Sequence, residues 1–339
     1  MIQSPVLIIG CPRSGTTLLF SVLSEVPSLW SIGYESKEII ERYHSPATKG
    51  WASGALEAAD LTPESSAYMR RAFELGAAPG TFWQRVGRLR KTLGGGRGYR
   101  AIKRRGRTQA AGAAASSALP QRGLDAVRAY VRIRNRLSPQ NDAVRLVEKT
   151  PENCLRLPFL LALFPDARVL YLTRDGRSNV HSLVEGWKQP HLFPGYVVPE
   201  KLAIPGYARE RWAFTLIPGW RELAQSTLEE VCAWQWIRCN EAVLAHREET
   251  QGQVPYLTIR YENLIAQPAQ VLPQVAAFLG LDFERDLGRY AEHLPQINAV
   301  STPDRDKWRR QDPQVLARVD ALIDPMMERL GYLPESTRS

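Results

Sequence analysis

The stretch VLIIGCPRSGTTLLF, Val6 to Phe20, decides the fold. Apolar Val6–Ile9 runs into a turn built on Gly10, Pro12, Ser14 and Gly15, and an apolar run led by Thr16 and Thr17 follows. A short apolar run bounded by turn residues reads as a buried parallel strand, and the threonine-led run reads as the start of a helix. A loop between them that offers backbone N–H groups at a helix N-terminus cradles an anion. The triphosphate-binding version of this loop, Gly-x4-Gly-Lys-Ser/Thr, ends in a lysine that reaches the β- and γ-phosphates. Here Gly10 and Gly15 keep the frame, Thr16 stands at the lysine position, and Arg13 supplies the cation inside the loop. The pattern favours a single 5′-phosphate over a triphosphate. A plain strand-to-helix turn would need neither the arginine nor the hydroxyls of Ser14, Thr16 and Thr17.

The 339 residues are 44% hydrophobic and 9% aromatic, the composition of a globular chain with a sizeable core. The net charge of +9 is local. Between Leu75 and Leu124 there is no acid but there are 11 Arg and Lys, from Arg85 to Arg122, and the rest of the chain is close to neutral. The high pI therefore reports one segment. Cys11, Cys154, Cys232 and Cys239 form no CxxC pair and have no histidine at ligand spacing, which argues against a disulfide framework or a zinc site and for a reduced compartment. No apolar run reaches the roughly 18 residues that cross a bilayer, and no signal-type segment precedes Val6. These features lead to the expectation of a cytoplasmic protein without a metal.

Along the chain, helices are expected at Thr16–Glu25, Tyr34–Tyr43, much of Leu56–Lys91, Pro151–Phe164, Gly176–Trp187, Leu228–Glu248, Ala269–Leu279 and Val315–Leu330. Strands are expected at Val6–Ile9, Val144–Val147, Ala167–Thr173 and Tyr256–Ile259. Strands alternating with helices predict an α/β fold of the P-loop type, three layers with a central parallel sheet. One domain over residues 1–339 is expected, with a helical, basic insertion at about 51–137 and a Pro-rich insertion at about 188–227.

PRSGTTLL, Pro12–Leu19, resembles the 5′-phosphosulfate loop of sulfotransferases that use 3′-phosphoadenosine-5′-phosphosulfate (PAPS). YLTRDGRSNVHS, Tyr171–Ser182, resembles their 3′-phosphate segment. IRYENLIAQPAQVLPQVAAFLGL, Ile259–Leu281, and DKWRR, Asp306–Arg310, resemble two later family elements in family order. The flavour is that of the bacterial and tyrosylprotein branch. Trp51–Leu137 and Lys188–Thr227 fall outside the resemblance.

The resemblance implies sulfuryl transfer from PAPS to a hydroxyl acceptor, with the bisphosphate PAP as product and no metal. Ser14, Gly15, Thr16 and Thr17 would cradle the 5′-phosphate, and Arg13 and Lys149 would stabilise the charge that grows on its bridging oxygen. Arg174 and Ser182 would hold the 3′-phosphate, Tyr261 would lie near the adenine, and Lys307, with Arg309, would close as a lid. In the cytosolic branch a Lys–Thr–His–Leu–Pro segment carries the catalytic histidine. Here EKTPENC keeps Lys149 and Thr150 but places Pro151, which cannot accept a proton, at the histidine position. SIGYESKEII, Ser31–Ile40, aligns with the Gly–Glu–Glu–Thr–Arg stretch that supplies the base in tyrosylprotein enzymes. Tyr34 replaces its first acid and Glu35 keeps the second, so Glu35 is the expected general base, with Glu38 as the second carboxylate. The alternative for Glu35 and Glu38 is a solvated helix start, and for Tyr261 a core strand tyrosine. The acceptor could be a small molecule, sugar, lipid or peptide tyrosine, with a homodimer possible and no nucleic acid expected. A P-loop kinase or NTPase is the competing reading. Thr16 in place of the lysine counts against it.

Overall fold

The computed structural model describes residues 2–77, 145–295 and 307–333, apart from Pro27, Tyr34, His191, Pro194 and Ala208. The basic block from Arg85 to Arg122 and the Lys307 side chain lie outside the described residues. The strands are β1 Val6–Ile9, β2 Val147–Glu148, β3 Arg168–Thr173, β4 Tyr196–Val197, β5 Arg211–Trp212 and β6 Tyr256–Arg260. The helices are α1 Thr16–Leu23, α2 Lys37–His44, α3 Pro63–Ala77, α4 Leu157–Leu163, α5 Gly176–Trp187, α6 Leu228–Glu249, α7 Tyr261–Ala266, α8 Pro268–Leu279, α9 Phe283–Asp286 and α10 Pro313–Arg329.

The central sheet is parallel, in the order β2–β1–β3–β6. β1 pairs Ile9 with Tyr171 of β3, and β3 pairs Leu172 with Ile259 of β6. A strand covered on both faces must be apolar at every position, and Val6, Leu7, Ile8 and Ile9 are all fully buried. Their alternation separates two cores. Leu7 and Ile9 join Val169 and Tyr171 under α5, α6 and α10, whereas Val6 and Ile8 join Leu170 and Leu172 under α1 and α8. The result is the expected three-layer α/β/α arrangement. β1 has β2 on one side and β3 on the other, so the chain visits both its neighbours. The crevice beyond the carboxyl end of β1 is where such sheets bind ligands.

Three elements differ from the sequence expectation. The strand expected at Val144–Val147 is β2, Val147–Glu148, and Leu146 makes only an isolated bridge to Trp30. The helix expected over Pro151–Phe164 is a 3-10 turn, Pro151–Leu155, followed by α4. A continuous helix would ask Pro158 for an N–H it lacks, and proline is instead tolerated in a first turn. Arg156 sits at the break with φ −127°. The helix expected from Tyr34 starts at Lys37, with Ser36 at its N-cap and the Ser36 hydroxyl turned to Glu148 instead of the helix N–H groups. In the Pro-rich insertion, β4 and β5 form a short antiparallel pair. Trp187, Trp212 and Trp220 are core residues, with edge-on ring contacts of 5.3 and 5.7 Å.

Candidate active site

The loop after β1 is shaped by close approach. A Cβ on Gly10 would lie 2.6 Å from Leu172 O and from Ser14 Oγ. Gly15 is the N-cap of α1 with φ +95°, and a Cβ there would lie 2.4 Å from the Tyr261 ring. No side chain caps α1, so its first N–H groups are available to a ligand. Thr16 is buried and Thr17 half-buried at that helix start. Arg13 takes the left-handed backbone, φ 73°, a conformation that costs a non-glycine residue of order 1–3 kcal/mol.

Two guanidinium groups converge on this loop. Arg174, just past β3, donates from Nη1 to Arg13 O at 2.8 Å and stacks over the Tyr261 ring at 4.7 Å. Arg13 donates from Nε to Ser182 Oγ on α5 at 3.2 Å and lies 5.0 Å from the Phe193 ring. The predicted 5′ and 3′ phosphate residues are thus one continuous cluster in which Arg13 touches Ser182 directly. Burial first, and then the Arg174 charge, lower the Arg13 pKa. Like charges packed together favour an anion between them. Three buried polar atoms here lack partners: Ser14 Oγ, Arg174 Nε and Asn179 Nδ2. Buried donors left unpaired call for a ligand, and a phosphorylated nucleotide supplies acceptor oxygens. The residues present therefore fit the donor named by the resemblance. Glu262 braces the cluster, accepting from Asp175 N at 3.0 Å and from Tyr332 OH at 3.0 Å.

The next strand end carries the second half of the site. Lys149 follows β2 and donates to Glu35 Oε1 at 2.5 Å. The lysine side chain is 6% exposed and the glutamate 47%, so the carboxylate faces the crevice. Glu38, the second carboxylate, is exposed in the first turn of α2. Adjacent parallel strands run about 4.8 Å apart, which sets the Lys149 end of β2 beside the loop of β1. Lys37 Nζ lies 3.5 Å over the Tyr196 ring, while Phe193 contacts Arg13.

The late segment Lys307–Arg310 is a 3-10 turn on α5. Trp308 lies between the Arg177 and Arg309 guanidiniums, at 5.3 and 4.7 Å, and Gln311 meets His181. Arg177 itself pairs with Asp320 at 2.8 Å. Among the described residues, no group of three or more His, Cys, Asp or Glu could hold a metal ion. No described helix is long and apolar enough to cross a membrane.

The model of the sulfotransferase family matches residues 5–192, more than half of the chain and all of the geometry just described up to Phe193. The chain belongs to the sulfotransferase family. Among curated proteins, the sulfotransferase is 24% identical over 210 residues to the protein-tyrosine sulfotransferase of Drosophila melanogaster, covering 57% of this chain and 35% of that one. It is 23% identical over 207 residues to protein-tyrosine sulfotransferase 1 of Danio rerio, covering 56% and 49%. It thus spans half the length, or less, of these relatives. Among solved structures, the sulfotransferase domain from the curacin biosynthetic pathway aligns with a TM-score of 0.45, 16% identity and coverage of 98% of this chain and 99% of that one. Mouse sulfotransferase SULT7A1 complexed with PAP aligns with a TM-score of 0.44, 12% identity and coverage of 98% and 86%.

Sequence reasoning missed the residues that hold the sulfotransferase site in shape. Glu148, Ser36, Asn153 and Glu262 lie beside predicted site residues, but the contacts Glu262–Asp175, Ser36–Glu148 and Ser36–Asn153 join positions 87, 112 and 117 apart in the chain. Their one signal is polarity inside apolar surroundings. A glutamate ending a buried strand and a serine following Glu35 each need a partner once buried.

Proposed function

We propose that this chain transfers a sulfuryl group from PAPS to a hydroxyl acceptor and releases PAP. The observation that carries the reading is the convergence of Arg13 and Arg174 on a capless helix start, beside a carboxylate–ammonium pair at the next strand end. Sulfuryl transfer, like phosphoryl transfer, asks the protein for positioning and charge stabilisation. The acceptor oxygen attacks sulfur, its proton passes to the Glu35 carboxylate, and the bond from sulfur to the 5′-phosphate oxygen breaks. The leaving oxygen gains negative charge, which Arg13, Lys149 and the α1 N–H groups are placed to offset. Lys149 holds the Glu35 carboxylate by a 2.5 Å hydrogen bond, in position to accept the proton. Arg174 and Ser182 select the 3′-phosphate, and Tyr261 offers a face to the base. Lys307 and Arg309 would close over the donor.

The names of the relatives, protein-tyrosine sulfotransferases, support a phenolic hydroxyl of tyrosine type as the acceptor class. The half-buried ring of Phe193, beside Arg13, suits such a group. Cys11, Cys154, Cys232 and Cys239 are all free and buried, in keeping with the cytoplasm as the working compartment.

Thermal unfolding tests the donor. PAP at about 100 times its Kd adds about 2.7 kcal/mol of stability, a shift of several degrees. ATP with Mg²⁺ is expected to add far less. The reverse order would replace this reading with the kinase-type alternative.

A further inference from the structure

Beneath the Glu35–Lys149 pair lies a buried polar network. Glu148 is 2% exposed, and its Oε1 accepts from Ser36 Oγ at 2.7 Å and from Thr150 Oγ1 at 2.5 Å. Its Oε2 accepts from Asn153 Nδ2 at 2.8 Å. The Ser36 N–H donates to Thr150 Oγ1 at 2.7 Å, and Asn153 Nδ2 also reaches Ser36 Oγ at 3.4 Å. Ser36 follows Glu35 in the chain, and Glu148 and Thr150 flank Lys149. Every covalent neighbour of the pair described here is therefore fixed by one carboxylate.

The pair cannot supply this order itself. An ion pair with one partner half open to water holds its geometry weakly, whereas a buried carboxylate with both oxygens bonded fixes the donors around it. An ionised carboxylate suits the hub because it only accepts, and three donors converge on it. A glutamine there would turn N–H groups toward one of those donors. Burial raises the Glu148 pKa, while its three hydrogen bonds and Lys149 oppose that rise.

We propose that Glu148, acting through Ser36 and Thr150, is the positioning residue that sets Glu35 against Lys149. Its effect on rate rests on the sulfotransfer reading, but its effect on geometry does not. The variants are Glu148→Gln, Thr150→Val, which keeps the shape and loses the hydroxyl, and Thr150→Ser, which keeps the hydroxyl. Transfer is measured from PAPS to 4-nitrophenol, and PAP binding by calorimetry.

Glu148→Gln and Thr150→Val are expected to lose about 10- to 100-fold in kcat, as a misplaced reacting group does. The donor KM and the PAP Kd should stay within about threefold, the mark of an interaction used in the transition state. Thr150→Ser should recover most of the lost rate. Unchanged kcat in both damaging variants would overturn the proposal, and so would kcat and PAP affinity falling together with no rescue by serine. A crystal structure of Thr150→Val gives a readout independent of chemistry. Separation of Glu35 from Lys149 supports the role, and an unmoved pair refutes it. If the wild-type protein neither binds PAP nor transfers sulfate, the sulfotransfer reading fails, and that crystal structure still decides the positioning.

Discussion

Beyond β1, Ser14 Oγ and the facing Arg174 Nε are buried without hydrogen-bond partners, whereas beyond β2 both oxygens of Glu148 are taken by three buried donors. The two strand ends are neighbours in one sheet. Each unmet buried polar group costs about 1–3 kcal/mol, a large share of a domain's total stability of about 5–15 kcal/mol. The fold leaves a hydroxyl and a guanidinium N–H unmet at one strand end and bonds both oxygens of the carboxylate at the next, where Asn153 Oδ1 is the one described atom of the network left without a partner. The first end is unfinished, with donors left unmet as an anion-binding site would leave them. The second has its carboxylate finished in advance, as a support for the first would need.

The contrast makes separable predictions, and the largest concerns the base that the second end supports. Glu35→Gln should cut kcat by about 10²- to 10⁴-fold, the usual contribution of a general base, and PAP affinity measured by calorimetry should barely change. A parallel loss of affinity would erase the division between the two ends. Next in size, Arg174→Ala removes a guanidinium from the unfinished end. The expected loss is about 10- to 100-fold in PAP affinity, in line with hydrogen bonds to a charged group worth about 1.5–3 kcal/mol. Titration with adenosine 5′-phosphate should show a much smaller loss, which localises the effect to the 3′ side. Smallest is Gly15→Ala. The added Cβ meets the Tyr261 ring and the backbone keeps φ +95°, so chemical denaturation should report a loss of about 1–3 kcal/mol. The Glu35–Lys149 end should be untouched, as shown by an unchanged reactivity of the Lys149 amine.

The same contrast explains what could be read in the sequence. The unfinished end was legible because its chemistry is local. Gly10, Arg13, Gly15, Thr16 and Thr17 lie within one short stretch, and a strand–loop–helix pattern announces where their N–H groups point. The α5 helix, Gly176–Trp187, was legible to the residue, with Asp175 as its cap accepting from Ser178 N at 3.0 Å. The finished end was not legible, because Ser36 meets Glu148 across 112 positions of chain. The break at Arg156 had a local signal in Pro158, but the anchors of Arg156 were hidden for a related reason. Its guanidinium is fully buried and reaches Glu41 at 2.6 Å and Gly54 O at 2.9 Å, partners that no local pattern could have supplied.

Arg13 holds a left-handed turn that glycine adopts freely and arginine does not. Retained here, it exemplifies a trade of robustness for reactivity. Laboratory evolution of this chain for heat tolerance alone, blind to turnover, should therefore drift to glycine at that position and yield a sturdier catalyst that no longer works.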